Sequence, residues 1–236
     1  MKILAIDTSA AAVSAAVVDD SKILAEDYLN IGLTHSQTLL PLIDSVLKNA
    51  NITISDMDLL VTSNGPGSFT GIRIGVSTIK GMGLAAGLPC VGVSTLEALA
   101  YNFLGLPVIV SAVMDARREQ VYNAVFELKT NNTVHRLTPD RAISIPDLGK
   151  ELLKYGQPIY FLGDGADLCC NILGESSKFL LAPAHLRFQR AASVAALGKR
   201  IFESGREQHT AAQLLPSYLR LSQAERELKQ RNSLKK

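Results

Sequence analysis

A duplicated α/β fold is what this sequence predicts, on three observations. Apolar runs of strand length alternate with apolar-faced stretches of helical length along the chain. An apolar run closed by an aspartate occurs twice, Ile3-Leu4-Ala5-Ile6-Asp7 and Val108 to Asp115, and Asp115 follows Asp7 by the same 108 residues as Val121 follows Val13. Each half then has a strand running into a glycine turn and a helix, through Gly65-Pro66-Gly67 in one and Gly163-Asp164-Gly165 in the other. We read two units, 1–105 and 106–236.

In chain order, residues 3–6 and Val13 to Val18 form a hairpin with Asp7 at its turn, and Ile23 to Leu29 a third strand. Thr34 caps a helix whose Leu39, Leu42, Ile43, Val46 and Leu47 share one face; Pro41 falls in its first two turns, where a missing donor is tolerated best. Leu59 to Val61 is a strand, and a helix follows Thr70. Pro89 to Val93 reads as a buried strand and Thr95 to Tyr101 as a helix. The second unit repeats the order: strands Val108–Met114 and Val121–Phe126, helical residues from Pro146 to Tyr155, a strand Ile159–Leu162, the glycine turn and a helix. A last helix runs from about Ser193 to Phe202, with a break at Gly205-Arg206.

The stretch from Leu59 to Gly75 is the focal one. Strand, tight loop and helix start in that order form an anion cradle in many α/β proteins, because helix N–H groups point at the ligand and glycine lets it approach. Two such cradles are excluded by spacing. No lysine follows the loop before Lys80, as a P-loop requires, and Gly65, Gly67 and Gly71 are one residue too far apart for the dinucleotide fingerprint. A phosphate cradle and a plain strand-to-helix connection both remain. The following helix carries Gly71, Gly75, Gly81, Gly83 and Gly87, each costing about 1 kcal/mol relative to alanine, so something approaches it closely: its own sheet or another chain.

Composition sets bounds. At 47% hydrophobic and 19% charged, 236 residues bury a real core, and a net charge of +2 gives no field that dictates nucleic-acid binding. Asp7 interrupts the apolar start before a secretory core forms, and no run of about 18 apolar residues exists, so a cytoplasmic protein is expected, with no membrane partner. Cys90, Cys169 and Cys170 form no C-x-x-C pair and read as reduced, buried thiols. The end is basic, with Arg220, Arg226, Lys229, Arg231, Lys235 and Lys236 against Glu225 and Glu227: a solvated tail, or an RNA phosphate contact.

An aspartate at the first hairpin of each half resembles the actin-like ATPases and sugar kinases. Ile6-Asp7-Thr8-Ser9, Thr34-His35-Ser36 before Leu39-Leu40-Pro41, Asn64 through Gly75, and Pro216-Ser217-Tyr218-Leu219-Arg220 together resemble the TsaB family, accessory subunits of the bacterial tRNA threonylcarbamoyladenosine synthase, over nearly the whole chain and most strongly through residue 100. The resemblance implies a duplicated actin-like (ribonuclease H-like) fold of two mixed-sheet subdomains. It also implies a non-catalytic subunit that binds the paralogue TsaD, joins a ternary complex with the ATPase TsaE, and pairs with itself. That complex modifies the adenosine beside the anticodon in tRNAs reading codons that start with A, using ATP and magnesium; the chain would need no cofactor of its own and would meet tRNA indirectly or through its tail. TsaD holds a metal with an H-x-x-x-H pair and an aspartate. Those positions fall on Val93 to Leu99, where Thr95 and Leu99 offer no ligand, and on Gln189 to Leu197, which has no acidic residue. His35, His135, His185 and His209 are scattered, so no catalytic metal is expected.

The expected partner surface comprises His35, Leu39, Leu42 and Ile43 on the first helix and Thr70, Gly71, Ile74, Gly75, Thr78 and Met82 on the second. A bulky residue at Gly75 should then weaken association without unfolding the chain. Candidate nucleotide or phosphate loops are Asp7, Thr8 and Ser9; Gly65 and Gly67; and Gly163, Asp164 and Gly165, each of which reads equally as a structural turn. The alternative function is a stand-alone actin-like kinase or ATPase acting on a small molecule. A peptidase, the label once given to the wider family, lacks any Ser-His-Asp or H-E-x-x-H constellation.

Overall fold

Lys2–Asp7 (β1) is buried on both faces from Ile3 onward, which explains its unbroken apolar run where a half-exposed strand would alternate. It is the central strand of a five-stranded sheet in a computed structural model that describes residues 1–20, 22–174, 177–205 and 210–220. Val13–Asp19 (β2) and Lys22–Leu29 (β3) continue from it as an antiparallel meander, while Leu59–Gly65 (β4) and Cys90–Ser94 (β5) lie parallel on its other side, in the order β3-β2-β1-β4-β5. His35–Asn49 (α1) and Phe69–Ala86 (α2) cover one face. Leu39, Ile43, Ile72 and Ile79 there meet Leu4, Ile6, Val13 and Leu60 from the sheet. Between β5 and the second sheet comes Thr95–Ala100 (α3), capped by Ser94, whose hydroxyl accepts from the Glu97 N–H.

The second sheet repeats the pattern. Ile109–Asp115 (β6) pairs antiparallel with Gln120–Leu128 (β7), which pairs in turn with Val134–Arg136 (β8) and Arg141–Ser144 (β9). Ile159–Leu162 (β10) and Phe179–Leu181 (β11) lie parallel on the other side of β6, with Ile145–Leu152 (α4) and Ala166–Leu173 (α5) packed on the sheet. Two copies of one mixed-sheet plan, with matching order and direction of strands, make this the duplicated actin-like fold. The copies differ at the hairpin. Asp7 pairs with Ser14 but Asp115 pairs with Val121, so the second turn is one residue shorter. It closes through Arg117, Arg118 and Glu119 at φ 68°, 56° and 56°, a left-handed run that costs roughly 1–2 kcal/mol per residue for side chains with a Cβ.

The halves do not separate cleanly at residue 105. After Ala184–Arg187 (α6), the helix Ala191–Glu203 (α7) packs on β1, β2, β4 and β5 of the first sheet, while α3 packs on β6 and β7 of the second. The division at 105/106, which assigns α7 to the second unit, is therefore corrected for that helix: each sheet's inner face is apolar and takes its cover from the other half. Ile3, Ala5, Val61, Leu96, Val110, Phe126, Val194 and Leu197 form this shared core. Glu26 of β3 fixes the crossing. Its carboxylate accepts from Arg190 and from the Ala192 N–H at the start of α7. The sequence reading missed β8, β9, β11 and α6, all of three or four residues and too short to show a period. Residues 210–220 run back beside α2, where Lys80 donates to the carbonyls of Ala212 and Leu214. Most of the basic tail, Glu225 to Lys236, lies outside the described residues, as do Arg206 and His209. No described helix is long and apolar enough to cross a membrane.

Candidate functional site

A cleft of about 510 Å³ opens where the two sheets present their first hairpin turns, lined by Ser9, Ala10 and Ala11, by Pro66 to Phe69, by Met114 to Arg117 with Tyr122, by Asp164, and by Ser217 to Arg220. The candidate loops converge here, yet they do not all face it.

Asp7, Thr8 and Ser9 are buried. Asp7 Oδ1 accepts from the Ser9 N–H at 2.8 Å and the Ser9 hydroxyl at 2.7 Å, and Oδ2 accepts from the Ser63 hydroxyl. Burial pushes its carboxyl above the ordinary range, against the downward pull of the Ser63 and Ser9 hydrogen bonds. Thr8 Oγ1 donates to Gly71 O at 2.8 Å, Ser9 O accepts from the Ser68 N–H at 2.7 Å, and His35 Nε2 donates to Ala10 O at 2.6 Å. The glycine-rich segment thus closes over the first turn. The Ser68 amide, which a phosphate would need, is spent on Ser9, and Gly67 lies against Ser9 and Met114. Thr34 is the cap residue of α1, as expected, and the His35 imidazole braces the turn.

The second half is more open. Asp115 accepts from the Arg117 N–H at 2.7 Å and has the exposed Arg117 guanidinium 3.4 Å away. Gly163 and Gly165 lie against the end of β6 and hold Asp164 toward the cleft. Burial, reinforced by the charges of Asp115 and Asp7, raises the Asp164 carboxyl to about 6. Its Oδ1 is buried with no hydrogen-bond partner. The cleft wall thus combines the largely buried Asp164 carboxyl, the exposed Arg117 guanidinium and the rings of Phe69, Tyr122 and Tyr218. Among the described residues no group of three or more His, Cys, Asp or Glu is placed to hold a metal ion.

The model of the family TsaD, tRNA N6-adenosine threonylcarbamoyltransferase, matches residues 31–228. The tRNA threonylcarbamoyladenosine biosynthesis protein TsaB of Bacillus subtilis is 32% identical over 95% of this chain and 96% of its own length. The chain belongs to the TsaB family. The Escherichia coli TsaB is 37% identical over 57% of this chain and 59% of its own. A Pseudomonas aeruginosa protein described as similar to the peptidase YEAZ is 26% identical, with a TM-score of 0.79, covering 93% of this chain and 99% of that one.

In this member of the TsaB family the expected partner surface divides in two. Leu39, Leu42 and Ile43 are buried against the first sheet. Gly71 and Gly75 are buried too, and a Cβ on either would stand well under 3.0 Å from Thr8, at its carbonyl oxygen and its hydroxyl respectively. These five residues are corrected from surface to core: the close neighbour of the glycine-rich helix is the first turn of its own chain. Thr70 is exposed, and His35, Ile74, Thr78 and Met82 are half-buried. Apolar groups that face solvent near α1 include Ile31 (66% exposed) and Leu33 (52%), just before the helix, and Leu40 (58%), which lies off the apolar face that helical periodicity marks.

Two of the motifs quoted for the family meet in space. Ser217 N–H donates to Asn64 O at 2.7 Å, and Asn64 Nδ2 donates to Leu215 O at 3.1 Å. Phe69 stacks on Tyr218 with centroids 4.5 Å apart, and Arg73 lies 3.9 Å over Phe69 while its Nε donates to the Tyr218 hydroxyl at 2.9 Å. Gly65, at φ 135°, leaves the space that Ser217 O fills. Sequence carries no signal for a contact between segments about 150 residues apart, beyond a tyrosine and an arginine of matching chemistry.

Proposed function

We propose that this chain serves as a non-catalytic subunit in tRNA threonylcarbamoyladenosine biosynthesis, binding TsaD and acting with TsaE so that the complex modifies the adenosine beside the anticodon of tRNAs reading codons that start with A. The observation that carries the reading is the sealed first turn. In the actin-like enzymes that the sequence resembles, this position handles phosphate and magnesium; here both Asp7 oxygens are engaged by Ser9 and Ser63 beneath the Gly65–Gly75 segment. Thr95 and Leu99, which stand at the paralogue's metal positions, supply no ligand chemistry. The Bacillus subtilis and Escherichia coli relatives are named for tRNA threonylcarbamoyladenosine biosynthesis, which supports the same pathway. ATP and magnesium would then be used by the complex rather than held by this chain.

The partner, TsaD or a second copy of the chain, would meet the outward residues Thr70, Ile74, Thr78 and Met82 of α2 together with Leu33 and Leu40 at α1. An interface of about 1,200–2,000 Å² is typical of stable association. The test is threonylcarbamoylation of tRNA by purified TsaD and TsaE with threonylcarbamoyl-adenylate, ATP and magnesium, with and without this chain. Activity that requires the chain, which is inert alone, is the expected result; activity indifferent to it, with no binding to TsaD, refutes the reading.

A further inference from the structure

Residues 217–220, at the end of the segment 214–220, form one wall of the cleft, and the subunit role does not call for them there. They are attached unequally. On the first half the segment is seated by Lys80, by the paired hydrogen bonds with Asn64, and by the Phe69–Tyr218–Arg73 stack. On the second half the contact is the Arg220 guanidinium, which donates to Ala116 O at 3.0 Å and to the Gln120 side-chain oxygen and lies 5.8 Å from the Tyr122 ring centroid. Both acceptors flank the left-handed turn Arg117–Glu119.

The chemistry of that grip is distinctive. A permanent clasp on a guanidinium is usually a carboxylate, whose two oxygens match the fork. Arg220 instead holds two neutral oxygens, and among the described residues no carboxylate is paired with it. These hydrogen bonds are charge-assisted but have no counter-charge, and a single side chain makes them, so this side releases before the other, which several residues seat. We propose that residues 214–220 are a latch across the cleft: Asn64 and the Phe69–Tyr218–Arg73 stack are its hinge plate, and Arg220 is the catch that engages the β6–β7 turn, sets the opening of the cleft and shields the turn from solvent. This inference stands independently of the subunit role.

Hydrogen–deuterium exchange of the full chain tests it. In Arg220→Ala, the amides of Ala116 and Gln120, which are bonded across the turn, and those of Gly165 and Ala166 behind the cleft should exchange about tenfold faster or more, while β1 and β4 amides keep their rates. Gln120→Ala removes an acceptor without touching the segment, keeps the test open should the arginine variant fold poorly, and should give the same local pattern at smaller amplitude. The double variant should add little to Arg220→Ala, because both remove one contact. Unchanged exchange at the turn in both variants overturns the latch, and so does uniform acceleration that includes β1 and β4, which would make Arg220 a general stabiliser.

Discussion

Gly75→Ala and Gly71→Ala separate an internal use of the glycine-rich helix from an external one. A Cβ at Gly75 collides with the Thr8 hydroxyl, with Thr62 Oγ1 at 3.1 Å and Thr8 Cβ at 3.6 Å beyond it. A Cβ at Gly71 collides with the Thr8 carbonyl oxygen, with the His35 ring 3.2 Å away. Overpacking of a core costs about 1–3 kcal/mol, and replacing a helical glycine by alanine returns about 1 kcal/mol, so Gly75→Ala should lose up to about 2 kcal/mol. Gly71→Ala should lose more, because a backbone oxygen cannot rotate aside. In a chain of this size each kcal/mol moves the thermal midpoint by about 2–4 °C.

The two sites part company when Thr8 is shortened. Thr8→Ala removes the hydroxyl that blocks Gly75 but leaves the carbonyl that blocks Gly71. Alone it forfeits the hydrogen bond to Gly71 O, worth about 1 kcal/mol. Thr8→Ala/Gly75→Ala should therefore be about as stable as Thr8→Ala, a coupling of up to about 2 kcal/mol, whereas Thr8→Ala/Gly71→Ala should show almost none. Thermal unfolding of the six proteins, with light scattering for association, measures this. Should Gly75→Ala keep its midpoint while association weakens, the glycines face a partner and the packing argument is wrong; equal rescue at both sites would refute the geometry.

Asp164 sets a pH dependence. Its folded-state value of about 6 lies above the ordinary aspartate value of 3.8, so the native chain holds the extra proton between those values, and stability falls as pH rises from about 4 through 6. Asp164→Asn should flatten that slope and stabilise the protein at pH 7 by up to about 3 kcal/mol at 1.4 kcal/mol per unit, measured by urea unfolding at pH 5 and 7. Glu26→Gln should cost about 1–3 kcal/mol by weakening the hold on Arg190 and α7, with faster exchange in α7 as its local sign. Burial raises the thiols of Cys90 and Cys169 to about 11 and about 12, so both should react with a thiol reagent only as fast as the chain opens; prompt labelling in the native protein would contradict their placement.

Much of the fold was legible because its signals are local. The equal spacing from Asp7 to Asp115 and from Val13 to Val121 gave the duplication, though it concealed the one-residue difference in hairpin register, since spacing along a chain does not report which residues pair. The crossing of α7 was not legible: its apolar face says that it is covered, not by which sheet. The candidate site was half legible. Gly67, Asp164 and Ser9 of the first turn do line one cleft, but a glycine that admits a phosphate and one that admits the carbonyl of Ser217 or Thr8 are identical in sequence. Leu39, Leu42 and Ile43 were assigned to a surface from the pattern that marks a buried face.

The sealed turn has a consequence for how such a cleft can evolve. Asp7 stands buried at the first turn, and its donors, Ser9 and Ser63, belong to the chain itself. A ligand competing for that turn would have to lift Ser68 from Ser9 and Gly71 from Thr8, breaking two buried hydrogen bonds at about 1 kcal/mol each and leaving Asp7, Thr8 and Ser9 to be resatisfied. The second half is arranged differently: Asp164 lines the cleft and Arg117 is exposed. Whatever enters the cleft therefore gains its polar contacts from Asp164, Arg117 and the 217–220 wall, and its binding should be insensitive to Ser63→Ala, which disturbs Asp7 alone, but lost in Asp164→Ala. A ligand whose affinity falls equally in both variants would show that the first turn opens after all.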